Sequence, residues 1–94
     1  MEITFSKKAW KILQKLEKSE PRIFAKTQKK LNLFRNNPRH PSLRTHKLGG
    51  NLANSYSISV DISLRITYLV KAEKDGKKIA VIMDIGTHDE VYRK

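Results

Sequence analysis

Ser6-Lys7-Lys8-Ala9-Trp10-Lys11-Ile12-Leu13-Gln14-Lys15-Leu16-Glu17-Lys18-Ser19-Glu20-Pro21 is the stretch on which the fold turns. Ala9, Trp10, Leu13 and Leu16, with Ile12 beside them, recur at helical spacing and form one apolar stripe. Lys7, Lys8, Lys11, Lys15 and Lys18 line the other side. Ser6 is placed to cap this helix, its hydroxyl accepting from a first-turn amide. Ser19-Glu20-Pro21 then stops one helix and restarts another. Either Ser19 or Glu20 can cap, and proline is tolerated in a first turn because its missing N–H has no partner there. Ile23, Phe24, Thr27, Leu31 and Phe34 continue at three- and four-residue steps. Asn36-Asn37-Pro38 ends the second helix, since the residue before a proline is pushed out of the helical region. Two antiparallel helices joined by a very short turn are expected.

Strand patterns flank this hairpin. Before it, Glu2 to Phe5 reads as a short strand with Ile3 and Phe5 on one face. After it, Arg39 to Ser42 reads as a loop and Leu43 to Leu48 as a strand carrying Arg44, His46 and Lys47. Gly49-Gly50-Asn51 allows a turn or bulge. Tyr56, Ile58 and Val60 share one face of a third strand, with Ser57 and Ser59 opposite. A fourth strand, Leu64 to Val70, sets Leu64, Ile66 and Tyr68 against Arg65 and Thr67. Lys74-Asp75-Gly76 is a hairpin signal. The apolar run Ile79-Ala80-Val81-Ile82-Met83 makes the core of a final strand, Lys78 to Ile85, which Gly86 ends. The expected fold is α+β: an N-terminal strand, an α-helical hairpin, then a mostly antiparallel twisted sheet in the order β-α-α-β-β-β-β, all in one domain spanning residues 1–94.

Charge narrows the partners. Twenty Lys and Arg against nine Asp and Glu give +11 on 94 residues. So basic a small chain calls for a polyanion, and nucleic acid is the leading choice. There is no cysteine, which excludes disulfides, iron–sulfur clusters and cysteine zinc sites and suits a reducing cytoplasm. No apolar run approaches the roughly 20 residues of a membrane span. The N-terminus has no signal-peptide pattern. A cytoplasmic location without membrane association is the expectation.

The chemistry-bearing residues gather late in the chain. Thr87-His88-Asp89-Glu90-Val91-Tyr92-Arg93 follows the last strand directly. His88 is placed to move protons near neutral pH. His46, between Arg44 and Lys47, reads equally as a catalytic group or as a solvated strand histidine. His40, in a loop before Pro41, reads as a bland histidine without a catalytic task. Three dispersed histidines do not form a zinc set, no nucleophile elbow surrounds Ser57, Ser59 or Ser63, and no phosphate-binding loop is present. RNA cleavage needs none of these. The 2′-hydroxyl attacks the adjacent phosphate if a base takes its proton, a cation stabilises the phosphorane and an acid protonates the leaving oxygen. No metal or cofactor is expected. Arg65 is the natural charge stabiliser, Arg44 and Lys47 could assist, and Tyr92 could stack on a base or donate a proton. The plainer alternatives are a solvent-facing strand arginine and a packing tyrosine. Lys7, Lys8, Lys11 and Lys15 suit RNA phosphates.

Three segments, His40 to Leu48, Tyr56 to Val60 with Leu64 to Tyr68, and Ile85 to Tyr92, give a resemblance to the RelE/ParE superfamily of type II toxin–antitoxin toxins. The Gly86-Thr87-His88 run with an aromatic four residues on is most similar to the YafQ-type mRNA interferases. The resemblance implies a ribosome-dependent endoribonuclease acting on mRNA, silenced by a cognate acidic antitoxin with which it forms an oligomer. It makes His46 and His88 catalytic histidines, Tyr92 the aromatic beyond them and Arg65 the strand arginine. It also shows departures: Ser59 and Ser63 stand where YafQ-type toxins carry a His and an Asp, with Asp61 close by. Two other functions remain open on the same fold. One is a ParE-like, non-enzymatic inhibitor of DNA gyrase, and the other is a plain RNA-binding module.

Overall fold

Ser6 turns the chain from strand to helix. Its hydroxyl accepts from the Ala9 amide at 3.1 Å and donates to the Met83 carbonyl at 3.2 Å. The computed structural model describes residues 1–49, 54–87 and Val91. In chain order these form β1 (Glu2–Phe5), α1 (Lys7–Ser19), α2 (Pro21–Asn36), a 3₁₀ turn (Pro41–Leu43), β2 (His46–Lys47), β3 (Ser55–Ser59), β4 (Leu64–Ala72) and β5 (Lys78–Thr87). Glu20 alone joins the two helices. It caps α2 without a side-chain hydrogen bond, and Pro21 takes the first-turn position.

The five strands form one mixed sheet in the order β1-β5-β4-β3-β2. β1 runs parallel to β5 from Glu2↔Ile79 to Phe5↔Ile82, and the other pairings are antiparallel. The helical hairpin packs on one face. Ala9 and Leu13 of α1 and Leu31 and Phe34 of α2 are buried against Ile58, Ile66, Tyr68, Ala80 and Ile82. The Phe34 ring meets Tyr68 at 4.7 Å, tilted, and Tyr56 stacks on Tyr68 at 5.4 Å. Thr27 is fully buried in α2, and its hydroxyl donates to the Ile23 carbonyl at 2.8 Å, so burial does not strand it. The expected α+β order is the observed one.

Three local expectations need correction. Leu43 to Leu48 is not one strand. His40 Nδ1 accepts from the Ser42 amide at 3.1 Å, Leu43 is buried, and Arg44 takes a left-handed conformation at φ 48°. The strand is left with His46 and Lys47 only. Trp10 does not belong to the buried stripe: it is 52% exposed and packs its ring on Phe5 at 5.7 Å. Gly86 does not end β5, which runs on to Thr87 because Gly86 pairs with Arg65 and Thr87 with Leu64. Ser57 lies on the face opposite Tyr56 and Ile58, as expected, and it is buried there together with its cross-strand partner Thr67. The helix-free face carries its own small apolar cluster, where Leu48, Leu69, Met83 and Val91 line a cavity of about 130 Å³ with Ser55 and Thr67. Gly49-Gly50-Asn51 lies partly outside the described residues.

Candidate active site

The connection between β3 and β4 builds a hydrogen-bonded corner of the site. Asp61 Oδ1 accepts from the amides of Ser63 and Leu64, each at 2.9 Å, and from the Ser63 hydroxyl at 3.3 Å. Those backbone donors hold its carboxyl below the ordinary 3.8. Lys26 of α2 lies 3.8 Å from the other carboxylate oxygen. The Val60 amide bonds the Leu64 carbonyl at 2.8 Å, closing the turn.

Arg65 is tied into this corner. Its Nη1 donates to Ser59 Oγ at 2.8 Å and to the Asp61 carbonyl at 3.1 Å, and Ser59 Oγ donates to that same carbonyl at 2.8 Å. Arg65 and Ser59 are direct cross-strand partners. The guanidinium is therefore fixed in place, with Nε–H and Nη2–H on its other edge. That edge has the spacing that grips two oxygens of one phosphate.

Register decides what lies beside it. Arg65 pairs with Gly86, and Leu64 with Thr87, so the end of β5 adjoins the arginine. His88, the next residue in sequence, lies outside the described residues, as does Tyr92. His46 is exposed and pairs with Ser57, which in turn pairs with Thr67. It therefore shares the helix-free face with Ser59 and Arg65. Two strand steps across and two residues along separate it from Arg65, roughly 12 Å between Cα atoms. The guanidinium is drawn toward the turn, so Arg65 stands closer to the end of β5 than to His46.

The basic residues divide. Lys47 pairs with Tyr56, whose ring stacks on Tyr68, and so belongs to the opposite face from His46. Arg44 is exposed at the end of the 3₁₀ turn, two residues before β2. Lys8 and Lys15 line a groove of about 680 Å³ where the α1–α2 turn, the β3–β4 turn and the end of β5 meet, and Lys8 holds Asp84 there at 3.0 Å. Lys7 and Lys11 are exposed and do not line that groove. Asp61 and Ser63 are engaged in the turn, and Ser59 supports the arginine. In the sequence Ser59 and Ser63 stand as serines without a nucleophile elbow and as departures from the YafQ-type pattern, with no sign of a bond to Arg65. The short Val60-Asp61-Ile62-Ser63 connection was the signal that could have paired Ser59 with Arg65, because hairpin length sets register. His40 has a structural task as the cap of the 3₁₀ turn. Among the described residues no group of three or more His, Asp or Glu could hold a metal ion, and no helix is long and apolar enough to cross a membrane.

No family model matches the chain, and no curated protein matches it in sequence. Solved structures do match it in shape. A YoeB/ParE toxin from Agrobacterium tumefaciens superposes with a TM-score of 0.77 at 15% identity, over 94% of this chain and 99% of that one. YafQ in the E. coli DinJ–YafQ complex gives 0.75 at 17% identity, covering 97% of each chain. The heterotetrameric YoeB–YefM toxin–antitoxin complex of Staphylococcus aureus gives 0.72 at 20% identity, over 94% of this chain and 97% of that one. With its helical hairpin on one face of a five-stranded mixed sheet, this chain has the fold of the YoeB, ParE and YafQ toxins.

Proposed function

We propose that this chain is the toxin of a type II toxin–antitoxin pair and that it cuts mRNA on the ribosome by metal-independent attack of the 2′-hydroxyl. The observation that carries this reading is the Arg65 corner. A guanidinium held by Ser59 and the Asp61 carbonyl stands beside Gly86 and Thr87, and a histidine is the next residue in the chain. In the proposed reaction one histidine takes the 2′-hydroxyl proton while the 2′-oxygen forms a bond to phosphorus. Arg65 balances the added charge on the non-bridging oxygens. The P–O5′ bond breaks, and an acid returns a proton to O5′. One fragment ends in a 2′,3′-cyclic phosphate and the other in a 5′-hydroxyl. His88 and His46 are the acid–base pair, and Tyr92 supplies an aromatic surface for a base.

The +11 charge supports both partners. It draws the chain to ribosomal and messenger RNA, where phosphate contacts dominate affinity. It also favours an acidic segment that folds on binding as antitoxin. The neighbours from E. coli and Staphylococcus aureus were solved as complexes, DinJ–YafQ and the YoeB–YefM toxin–antitoxin heterotetramer.

Primer extension on mRNA bound to programmed ribosomes tests the reading. The wild-type chain should give discrete cuts ending in cyclic phosphate, and His88→Ala should slow them roughly 10²–10⁴-fold. Arg65→Lys, which keeps the charge but loses the fork, should retain a fraction of the rate. Absence of cuts by the wild-type chain rejects the nuclease. A DNA-damage response without cuts would point instead to the gyrase-inhibiting branch.

A further inference from the structure

Ile62 is 96% exposed, and it stands at the tip of a turn closed by several hydrogen bonds. A lone exposed aliphatic residue is ordinary on a protein surface. This one is not placed in an ordinary way. β-Branched residues are poor turn formers, yet here a turn holds one outward. Its neighbours are pinned: Asp61 receives the Ser63 and Leu64 amides, and the Val60 amide reaches the Leu64 carbonyl. The Asp61 carbonyl, one residue before Ile62, accepts from Arg65 at 3.1 Å. An apolar knob and a hydrogen-bonded guanidinium are thus parts of one small structure.

We propose that Ile62 is a positioning wedge. It inserts against the base step flanking the phosphate that Arg65 grips, and it splays the two nucleotides there. The inference rests on the reading of the chain as an RNA-cleaving toxin and adds a residue to it. Its chemical basis is the geometry of the reaction. Attack by the 2′-oxygen requires that oxygen, phosphorus and the leaving O5′ to lie nearly in line. A stacked dinucleotide holds the 2′-oxygen well off that line, so the bases must be parted before the bond can form. Proteins part base steps with apolar side chains, isoleucine among them. Arg65 supplies the reason to choose nucleic acid over an apolar protein pocket, because the phosphate-binding group and the knob share the Asp61 carbonyl. Ser63 and Asp61 Oδ1 are engaged within the turn, and Asp61 Oδ2 faces Lys26 of α2, so an apolar contact is what Ile62 at the tip offers.

The test uses the full chain, programmed ribosomes and mRNA carrying 2-aminopurine beside a 2′-deoxy nucleotide at the cut position. That nucleotide blocks cleavage, and the purine brightens when unstacked. Wild-type protein should raise the fluorescence and Ile62→Ser should not. On cleavable mRNA, Ile62→Ser should lower the single-turnover rate roughly ten- to hundredfold. Its affinity for the ribosome should stay within about twofold, since phosphate contacts set binding, and its unfolding midpoint should be unchanged. Ile62→Met, still apolar and long, should restore both signals. Unchanged cleavage and fluorescence in Ile62→Ser, with the wild type active, overturns the wedge and leaves the nuclease reading standing. Loss of antitoxin neutralisation alone overturns it as well, by making Ile62 a protein anchor. A wild-type chain that cuts no RNA overturns both.

Discussion

On the helix side of the sheet, Phe34, Leu31, Leu13 and Ala9 close over Ile58, Ile66, Tyr68 and Ile82. On the other side, Arg65, Ser59 and His46 share a surface with a small apolar cluster of Leu48, Leu69, Met83 and Val91. The two faces are built from alternate residues of the same strands, Ile66 and Tyr68 against Arg65 and Thr67. The buried face supplies cohesion, and it fixes where every residue of the other face must stand. The polar face can then carry groups that contribute little to folding, because nothing in the core depends on them. Arg65 is the exception. It is polar and placed for chemistry, yet it is also bonded into the β3–β4 turn.

Paired substitutions would break this division if it is wrong. Removing His46, which is exposed, by alanine should cut RNA cleavage roughly 10²–10⁴-fold and shift stability by no more than about 0.5 kcal/mol. Phe34→Ala should do the reverse. Phe34 is fully buried and touches Tyr68 at 4.7 Å, so its loss should cost about 3–5 kcal/mol in urea unfolding. At a temperature where the variant remains folded, its cleavage rate should be close to wild type. A large stability loss in His46→Ala, or a large rate loss in folded Phe34→Ala, would show that the faces are coupled.

The same division explains what the sequence made legible. Helical periodicity from Ala9 to Leu16 and strand alternation from Leu64 to Tyr68 mark residues that are buried for their own sake, and burial leaves a periodic trace. The hairpin at Lys74-Asp75-Gly76 was legible too, because Gly76 takes φ 84°, where glycine alone is unstrained. Trp10 was misread because periodicity reports which side of the helix a residue occupies but not how far the sheet beneath extends. β1 ends at Phe5, and the indole projects beyond it against that ring. Leu43 to Leu48 was misread because a side-chain acceptor, His40 Nδ1, competes with the strand for the local backbone. The polar face left the weakest trace. The bond from Arg65 to Ser59 depends on cross-strand register, and no period in either strand encodes which residues meet. His88 and Tyr92 remain readings of the sequence, lying outside the described residues.

Tyr68 sharpens the comparison from the core side. Burial, with a smaller contribution from Tyr56 beside it, pushes its phenol from an ordinary 10.0 up to about 12. Between those values the unfolded chain has lost a proton that the folded chain keeps. Rising pH therefore favours unfolding across that window, and the stabilisation present below it is lost as pH passes the folded value. Phenolate absorbance should show one tyrosine ionising last, near 12. In Phe34→Ala, with its cover removed, that late step should move back toward the ordinary value. A late step that survives Phe34→Ala would locate the burial elsewhere.

Asp61 gives the smallest effect, with the opposite sign. The Ser63 and Leu64 amides hold its carboxyl below the ordinary 3.8, so the folded chain gives up that proton more readily than the unfolded one. Its stabilisation is present above the unfolded value and disappears as pH falls through the folded one. The side chain is one-third exposed, and solvent screening keeps the contribution small. Asp61→Asn can still accept from the two amides but cannot titrate. Its stability should lie slightly below wild type at neutral pH and converge with it in acid. Because the Asp61 carbonyl and Ser59 hold Arg65 through groups that do not titrate, this variant should cut RNA at close to the wild-type rate. A large rate loss in Asp61→Asn, with stability intact, would mean that the carboxylate takes part in the chemistry, and that the turn belongs to the reacting face and does not merely support it.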